Sequence, residues 1–162
     1  MQNARDTFYL TLRNRLATVN PARTMTLRSI TRPGILVEDA EAFMPQPQLD
    51  AFTLRWTGLE ADQHLPAVLV QMTCEIHYGT AGSQANAGLD RGRALARMDY
   101  ELLRLLYPYS AQKMNYTQTP AAAMGTLVFW SEPAFAPAVT SHDRLSRIAR
   151  VVVFAFQEAN EA

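Results

Sequence analysis

With 162 residues, 48% of them hydrophobic and 19% charged, the chain has the composition of a globular protein. It is long enough to bury one core without disulfides or metals. Fifteen basic residues cancel fifteen acidic ones, so no global field gathers nucleic acid or an anionic membrane, and no net charge keeps copies apart. A single cysteine, Cys74, excludes an internal disulfide and an all-Cys zinc site.

The opening MQNARDTFYL carries charges where a signal peptide needs an apolar core, so none is expected. Phe8, Leu12, Leu16 and Val19 recur at helical spacing and predict a first helix. Asn3 or Asp6 can cap its start, and Asn20-Pro21 stops it. Thr24–Ile30 and Gly34–Glu38 are short and β-prone, with Arg32-Pro33-Gly34 as the turn between them. Glu38, Asp39 and Glu41 form an acidic patch, read as a solvated strand end, leading into an exposed loop stiffened by Pro45 and Pro47. Phe52, Leu54 and Trp56 then alternate with polar residues at strand period, and Gly58 to Pro66 reads as a polar connection.

Ala67–Tyr78 is the clearest strand. Val68, Val70, Met72, Cys74, Ile76 and Tyr78 point one way, and Gln71, Thr73, Glu75 and His77 the other. Gly79–Gly88 is small and polar and is expected to be a mobile loop, residues 79–88. Leu89–Tyr107 reads as an amphipathic helix closed by Pro108, with Leu95, Met98, Leu102 and Leu105 or Leu106 as its buried stripe. Asp90 stands at its N-cap, and Arg91, Arg97, Glu101 and Arg104 lie largely outside the stripe as an ordinary charged face. Ser110–Met124 is expected to be a long irregular loop. Gly125–Glu132 and Ile148–Gln157 read as two more strands, with a turn marked by Pro137 and Ser141–Asp143. The final run is apolar on both faces, which suits a central strand or one whose outer face meets another subunit. Its apolar core Val151–Phe156 is far too short to span a bilayer.

Catalytic signals are sparse. His64, His77 and His142 have no metal-ligand spacing, and on a strand Cys74 and His77 face opposite sides. Cys74 lies on the apolar stripe, the place of an inert thiol rather than a nucleophile. Gly79-Thr80-Ala81-Gly82-Ser83 matches neither a nucleophile elbow nor a phosphate loop. No catalytic, cofactor-binding or metal residue is nominated, and no cofactor is expected. Arg144, Arg147 and Arg150 form the one basic cluster, a weak candidate for polyanion contact; on a strand Arg147 would oppose the other two. Trp56, Tyr109, Tyr116 and Trp130 stand outside the cleanest core stripes and are the candidate subunit-interface residues.

The expected fold is a single α+β domain over residues 1–162, a mostly antiparallel sheet with two helices packed on one face, in the order α-β-β-β-α-β-β. That order resembles the tail terminators of long-tailed bacteriophages of the lambda type, in Phe8–Val19, Ile35–Glu38, Val68–Tyr78, Leu89–Leu106 with Tyr107-Pro108, and Thr126–Trp130 paired with Arg150–Gln157. The resemblance implies a non-enzymatic structural subunit that forms a ring, commonly a hexamer. Such a ring caps the tail tube and joins it to a head-side connector. The partners implied are further copies of the chain, a tail-tube protein and the connector, with DNA only as passing cargo and no membrane. The place implied is the tail or neck of a virion assembled in the bacterial cytoplasm. Met44–Leu65 and Ser110–Met124 are insertions relative to that pattern, and the chain lacks its net acidity. Another neck or minor tail protein, or a nucleic-acid-binding α+β module using residues 144–150, is the alternative.

Overall fold

The computed structural model of the chain describes residues 1–41, 48–83, 89–159 and 161. Helix α1 (Gln2–Val19) starts directly after Met1, so Asn3 and Asp6, expected as caps, lie inside it. Its Phe8, Leu12 and Leu16 are fully buried, and the Asn20 N–H closes it onto the Leu16 carbonyl. Next come β1 (Thr24–Leu27) and β2 (Ile30–Pro33), a separate two-stranded hairpin. Its turn is Arg28-Ser29, at φ 50° and 66°, the left-handed geometry of a two-residue hairpin whose twist suits the strands. Arg32-Pro33-Gly34, expected as the turn between the first two β-prone segments, is the end of β2 with a bend at Gly34 before β3 (Ile35–Val37).

Residues 38–41 are a short helix, α2 (Glu38–Glu41), rather than a solvated strand end. Two of its carboxylates are tied down, Glu38 by Arg55 and Glu41 by Arg32. The Pro45–Pro47 segment expected as a stiff loop lies outside the described residues. Strand β4 (Phe52–Asp62) continues through the expected connection, with a bulge between Trp56 and Gly58. It pairs antiparallel with β5 (Leu69–Thr80), which takes in Gly79 and Thr80 from the expected mobile loop. Of the rest of that loop, Gln84–Gly88 lie outside the described residues.

Helix α3 (Arg91–Leu106) buries Leu95, Met98, Leu102, Leu105 and Leu106 as its stripe predicts. Asp90 occupies the N-cap position, but its carboxylate accepts the Ser83 N–H rather than a helix N–H. Ser110–Met124 is not an irregular loop. It holds β6 (Ser110–Asn115) and the start of β7 (Ala122–Trp130), antiparallel neighbours. Two short strands, β8 (Ala134–Phe135) and β9 (Val139–Ser141), precede β10 (Arg144–Phe156), which begins four residues before the expected Ile148. The β9–β10 turn falls at His142-Asp143, within the expected Ser141–Asp143, with His142 at φ 53°.

The fold is therefore α+β, with three helices and ten strands among the described residues. The simple α-β-β-β-α-β-β order misses the hairpin, α2, β6, β8 and β9. The main sheet runs β3-β4-β5-β10-β7-β6, antiparallel except for the parallel pair β3–β4. β10 is its spine: twelve register pairs join it to β5, while its other edge meets β9, β8 and β7 in turn. Alternate residues Val70, Met72, Cys74, Ile76 and Tyr78 of β5 and Ala149, Val151, Val153 and Ala155 of β10 are buried in one cluster with α1 and α3. At its centre Phe8 stands edge-on to Trp56 (5.9 Å) and Trp130 (5.1 Å).

Removing that ring leaves a void between two indoles. Phe8→Ala is expected to cost about 3–5 kcal/mol of unfolding free energy, read from the shift of the urea midpoint at unchanged slope. A loss under about 1 kcal/mol would show that the three rings are not the packing centre.

Candidate functional site

The buried ionisable groups of this fold are bound to one another in separate pairs rather than gathered in a cleft. Glu101, expected on the charged face of α3, is 5% exposed. Its carboxylate accepts from Asn20 Nδ2 (2.8 Å), from Arg23 Nη2 (3.1 Å) and from Arg23 Nε. This pair fastens the end of α1 to α3, and it replaces the surface Arg97–Glu101 pair that their spacing permits. Lys113, the one lysine of the chain, is 1% exposed. It donates to the Phe156 carbonyl (2.7 Å) and to the Glu161 carboxylate, which also lies 3.7 Å from the N-terminal amine. On the inner face the Tyr78 hydroxyl donates to Asp99 (2.6 Å), which Arg147 also approaches (3.4 Å). Burial and the Asp99 carboxylate both push that hydroxyl's pKa upward, so it stays a phenol and a donor.

Glu41 collects three donors: Arg32, the Tyr9 hydroxyl (3.0 Å) and the Val37 N–H (3.0 Å). Burial alone would raise its carboxyl, but the three bonds outweigh burial and hold it below the ordinary value of 4.5. Cys74 is fully buried, and burial pushes its thiol far up, out of nucleophilic range. Cys74 and His77 do face opposite sides of β5, and His77 is half-covered, 3.1 Å from the Glu75 carboxylate. Among the described residues no group of His, Cys, Asp and Glu is placed to hold a metal ion.

The face of the sheet turned away from the helices has three zones. At one end a cavity of about 600 Å³ opens between the β8–β9 stretch and the sheet, lined by Leu49, His77, Val139, His142, Arg144 and Ile148 among others. Charged side chains cross the middle: Arg55, Glu75 and Arg150 stand side by side in register, with Glu38 on Arg55. The other end is apolar on β10 and β7, with Gln71 of β5 and Glu60 and Asp62 of β4 flanking it in register. Leu127, Phe129 (47% exposed) and Phe156 are open to solvent there, beside half-buried Val152 and Phe154. Phe129 and Phe154 are direct cross-strand partners.

The candidate interface residues do not all reach the surface. Trp130 is 4% exposed, its indole N–H bonded to the Leu106 carbonyl at 2.8 Å, and it belongs to the core. Trp56 and Tyr109 are partly buried against that core, and Tyr116 is half-buried beside Thr7. The large apolar side chains that are exposed were passed over. They include Leu127, Phe129 and Phe156 on the sheet, Tyr100 and Leu103 on α3, Tyr107 just after it, and Leu59 on β4. Strand parity held the signal: once Val128 and Trp130 point inward, Leu127 and Phe129 must point outward. The basic cluster is likewise divided. Arg147 sits on the helix side against Asp99, while Arg144 and Arg150 are on the other face, so the three make no single patch.

The chain matches no protein-family model, and no curated protein sequence is significantly similar to it.

Two outcomes test these assignments. Because the Glu41 carboxyl has a lower pKa folded than unfolded, it adds stability that is complete well above 4.5 and is lost as pH falls through that value and then the folded one. Glu41→Gln should therefore lower Tm at neutral pH and shrink the acid-dependent part of the Tm profile; a wild-type Tm at neutral pH would contradict the role given to these bonds. Cys74 in the native protein should resist an aromatic disulfide reagent and react only after urea unfolding. Rapid labelling of the folded chain would show the thiol to be accessible.

Proposed function

We propose that the chain is a non-enzymatic structural subunit that assembles with copies of itself into a ring capping or joining the tube of a phage-like tail. The ring would be hexameric, held between a tail-tube protein and a head-side connector. The observation that carries this reading is the uncovered apolar end of the outer sheet face, where Leu127, Phe129 and Phe156 lie open beside Val152 and Phe154. A contiguous apolar patch on the central strands of a sheet is a surface shaped for burial against another protein. Two further features favour assembly over catalysis. Formal net charge is zero, so copies approach without repulsion. The buried ionisable side chains of Glu101 and Lys113 tie elements of the fold together, as does the partly buried Asp99.

The choice of a tail terminator rests on the part of the expected order that remains once the hairpin, α2, β6, β8 and β9 are set aside: a leading helix, the long strand β5, the second long helix, and the antiparallel pair β7 and β10. The ring would bury the apolar patch against neighbouring protein, whether an adjacent copy or the tube beneath.

Sedimentation velocity and light scattering across a wide concentration range, with and without tube protein, test the reading. The expected result is a closed oligomer, weakened in Phe129→Asp while that variant keeps the wild-type Tm within the small shift of a surface substitution, about 0.5 kcal/mol or less. A protein that stays monomeric at every concentration, alone and with tube protein, overturns it.

A further inference from the structure

Two exposed surfaces of opposite charge lie on different parts of the subunit. The first is the solvent side of α3. Arg93, Arg97 and Arg104 are exposed there, interleaved with Tyr100 (62%) and Leu103, and Tyr107 (69%) follows at the extended C-cap. The spacing of the first five is helical, so they form one stripe along the helix. None of the three arginines has an ion-pair partner among the described residues, and the two acids of the helix face elsewhere: Asp99 toward Tyr78 and Arg147, Glu101 toward Arg23. In a chain of zero net charge this helix face carries three positive charges and no negative one.

The second surface is the open part of β4. Strand β3 covers its edge only at Phe52–Leu54. Beyond the bulge, Gly58–Asp62 pairs with β5 on one side, and among the described residues no strand pairs with its other edge. Gly58 allows that stretch to lie close on β5, since a Cβ there would come within 3.1 Å of Thr73 Oγ1. The exposed side chains along it are Leu59, Glu60, Ala61 and Asp62, followed by Gln63, His64 and Leu65, with no Lys or Arg between residues 58 and 66.

We propose that the α3 face of one copy docks on the open β4 edge of the next. This rests on the ring-forming reading above and names the contact that would build the ring. The surfaces match in kind: Glu60 and Asp62 project on the outer side of the β4 edge and Leu59 on the helix side, so a helix laid along the edge can set its arginines against the acids and Tyr100 and Leu103 against Leu59. They match in length, since Gly58–Asp62 covers about 14 Å at the strand rise and Arg97–Leu106 about 14 Å at the helical rise. A helix laid along an open strand edge also covers the unpaired backbone, and guanidinium groups can donate to its carbonyls. Because both surfaces are exposed in one subunit, neither satisfies the other internally. A contact between two different patches of the same chain is heterologous, the kind that propagates head to tail and closes into a ring when the rotation permits.

The test is a charge exchange followed by sedimentation velocity. R97E/R104E reverses the helix face and E60R/D62R reverses the edge; all four residues are exposed, and circular dichroism melts confirm that each variant folds. Each variant alone is expected to associate about a hundredfold more weakly than wild type. The chain carrying all four substitutions, and an equal mixture of the two variants, are both expected to regain the oligomer, the mixture as alternating copies. Failure of the four-substitution chain to recover, or wild-type association in either two-substitution variant, overturns this contact while leaving assembly through another face intact. A wild-type protein that is monomeric throughout overturns the ring reading together with it. If the oligomer is unaffected and R97E/R104E instead loses binding of a single-stranded oligonucleotide at low salt, the helix face meets nucleic acid and the proposal fails.

Discussion

Twelve consecutive residue pairs join β5 to β10 without a bulge, and the rest of the molecule is arranged around that uninterrupted register. A pleated strand turns alternate side chains to opposite faces, so one continuous register fixes which half of each strand is inside. Cys74 opposite Val151 and Met72 opposite Val153 then lie under the helices, while Glu75 opposite Arg150 and Thr73 opposite Val152 lie outside. A slip of β5 by one residue against β10 would bury Glu75 and expose Met72, so the core enforces the register along with the hydrogen bonds. Gly79 protects its far end, since a Cβ there would meet Ser146 Cβ at 2.9 Å. Around this pair β4 adds on one side, and β7, β8 and β9 share the other edge of β10.

The same arrangement decides how charge is used. Isolated buried charge is costly, and the chain admits it only where the partner is in place: Glu101 with Arg23 and Asn20, Lys113 with Glu161, Glu41 with Arg32. These pairs tie together segments far apart in sequence. Arg23–Glu101 joins the end of α1 to α3, and Lys113–Glu161 joins β6 to the last described residue. Replacing the partners by apolar side chains could preserve stability, but the polar pairs restrict which segments can meet. Among the described residues, Arg93, Arg97 and Arg104 on the outer side of α3 have no ion-pair partner.

Regular periodicity was the legible part of the sequence. The α3 stripe Leu95, Met98, Leu102 and Leu105 is buried as its spacing requires, and the alternation from Val70 to Tyr78 is the inner face of β5. What escaped was structure that carries little local pattern. β6 (Ser110–Asn115) reads as polar, and it is a strand because β7 pairs with it and Thr7 Oγ1 accepts the Met114 N–H at 3.0 Å. Arg28-Ser29 gave no turn signal because neither residue is Gly or Asn, yet both adopt positive φ. Glu101 looked like a surface residue because its partner stands 78 positions away. For the same reason the site was only half legible. Aromatic identity pointed to Trp56 and Trp130, whereas exposure is decided by what lies opposite, and opposite those two lies Phe8.

That last point bears on how such a subunit can associate. Large aromatic residues serve either packing or contact, and here Phe8 draws the two tryptophans inward. Contact is left to side chains on faces that nothing within the subunit covers: the β7–β10 outer face, the solvent side of α3 and the β4 edge. A ring has to satisfy two demands at once, lateral contact between unlike patches and axial contact with whatever lies above or below. In the proposed ring, the α3 face and the β4 edge can set orientation and partner choice, while Leu127, Phe129 and Phe156 fit a contact whose strength comes from area removed from water. On this division, salt should weaken lateral association more than axial docking, because only the lateral contact depends on exposed charges within reach of screening.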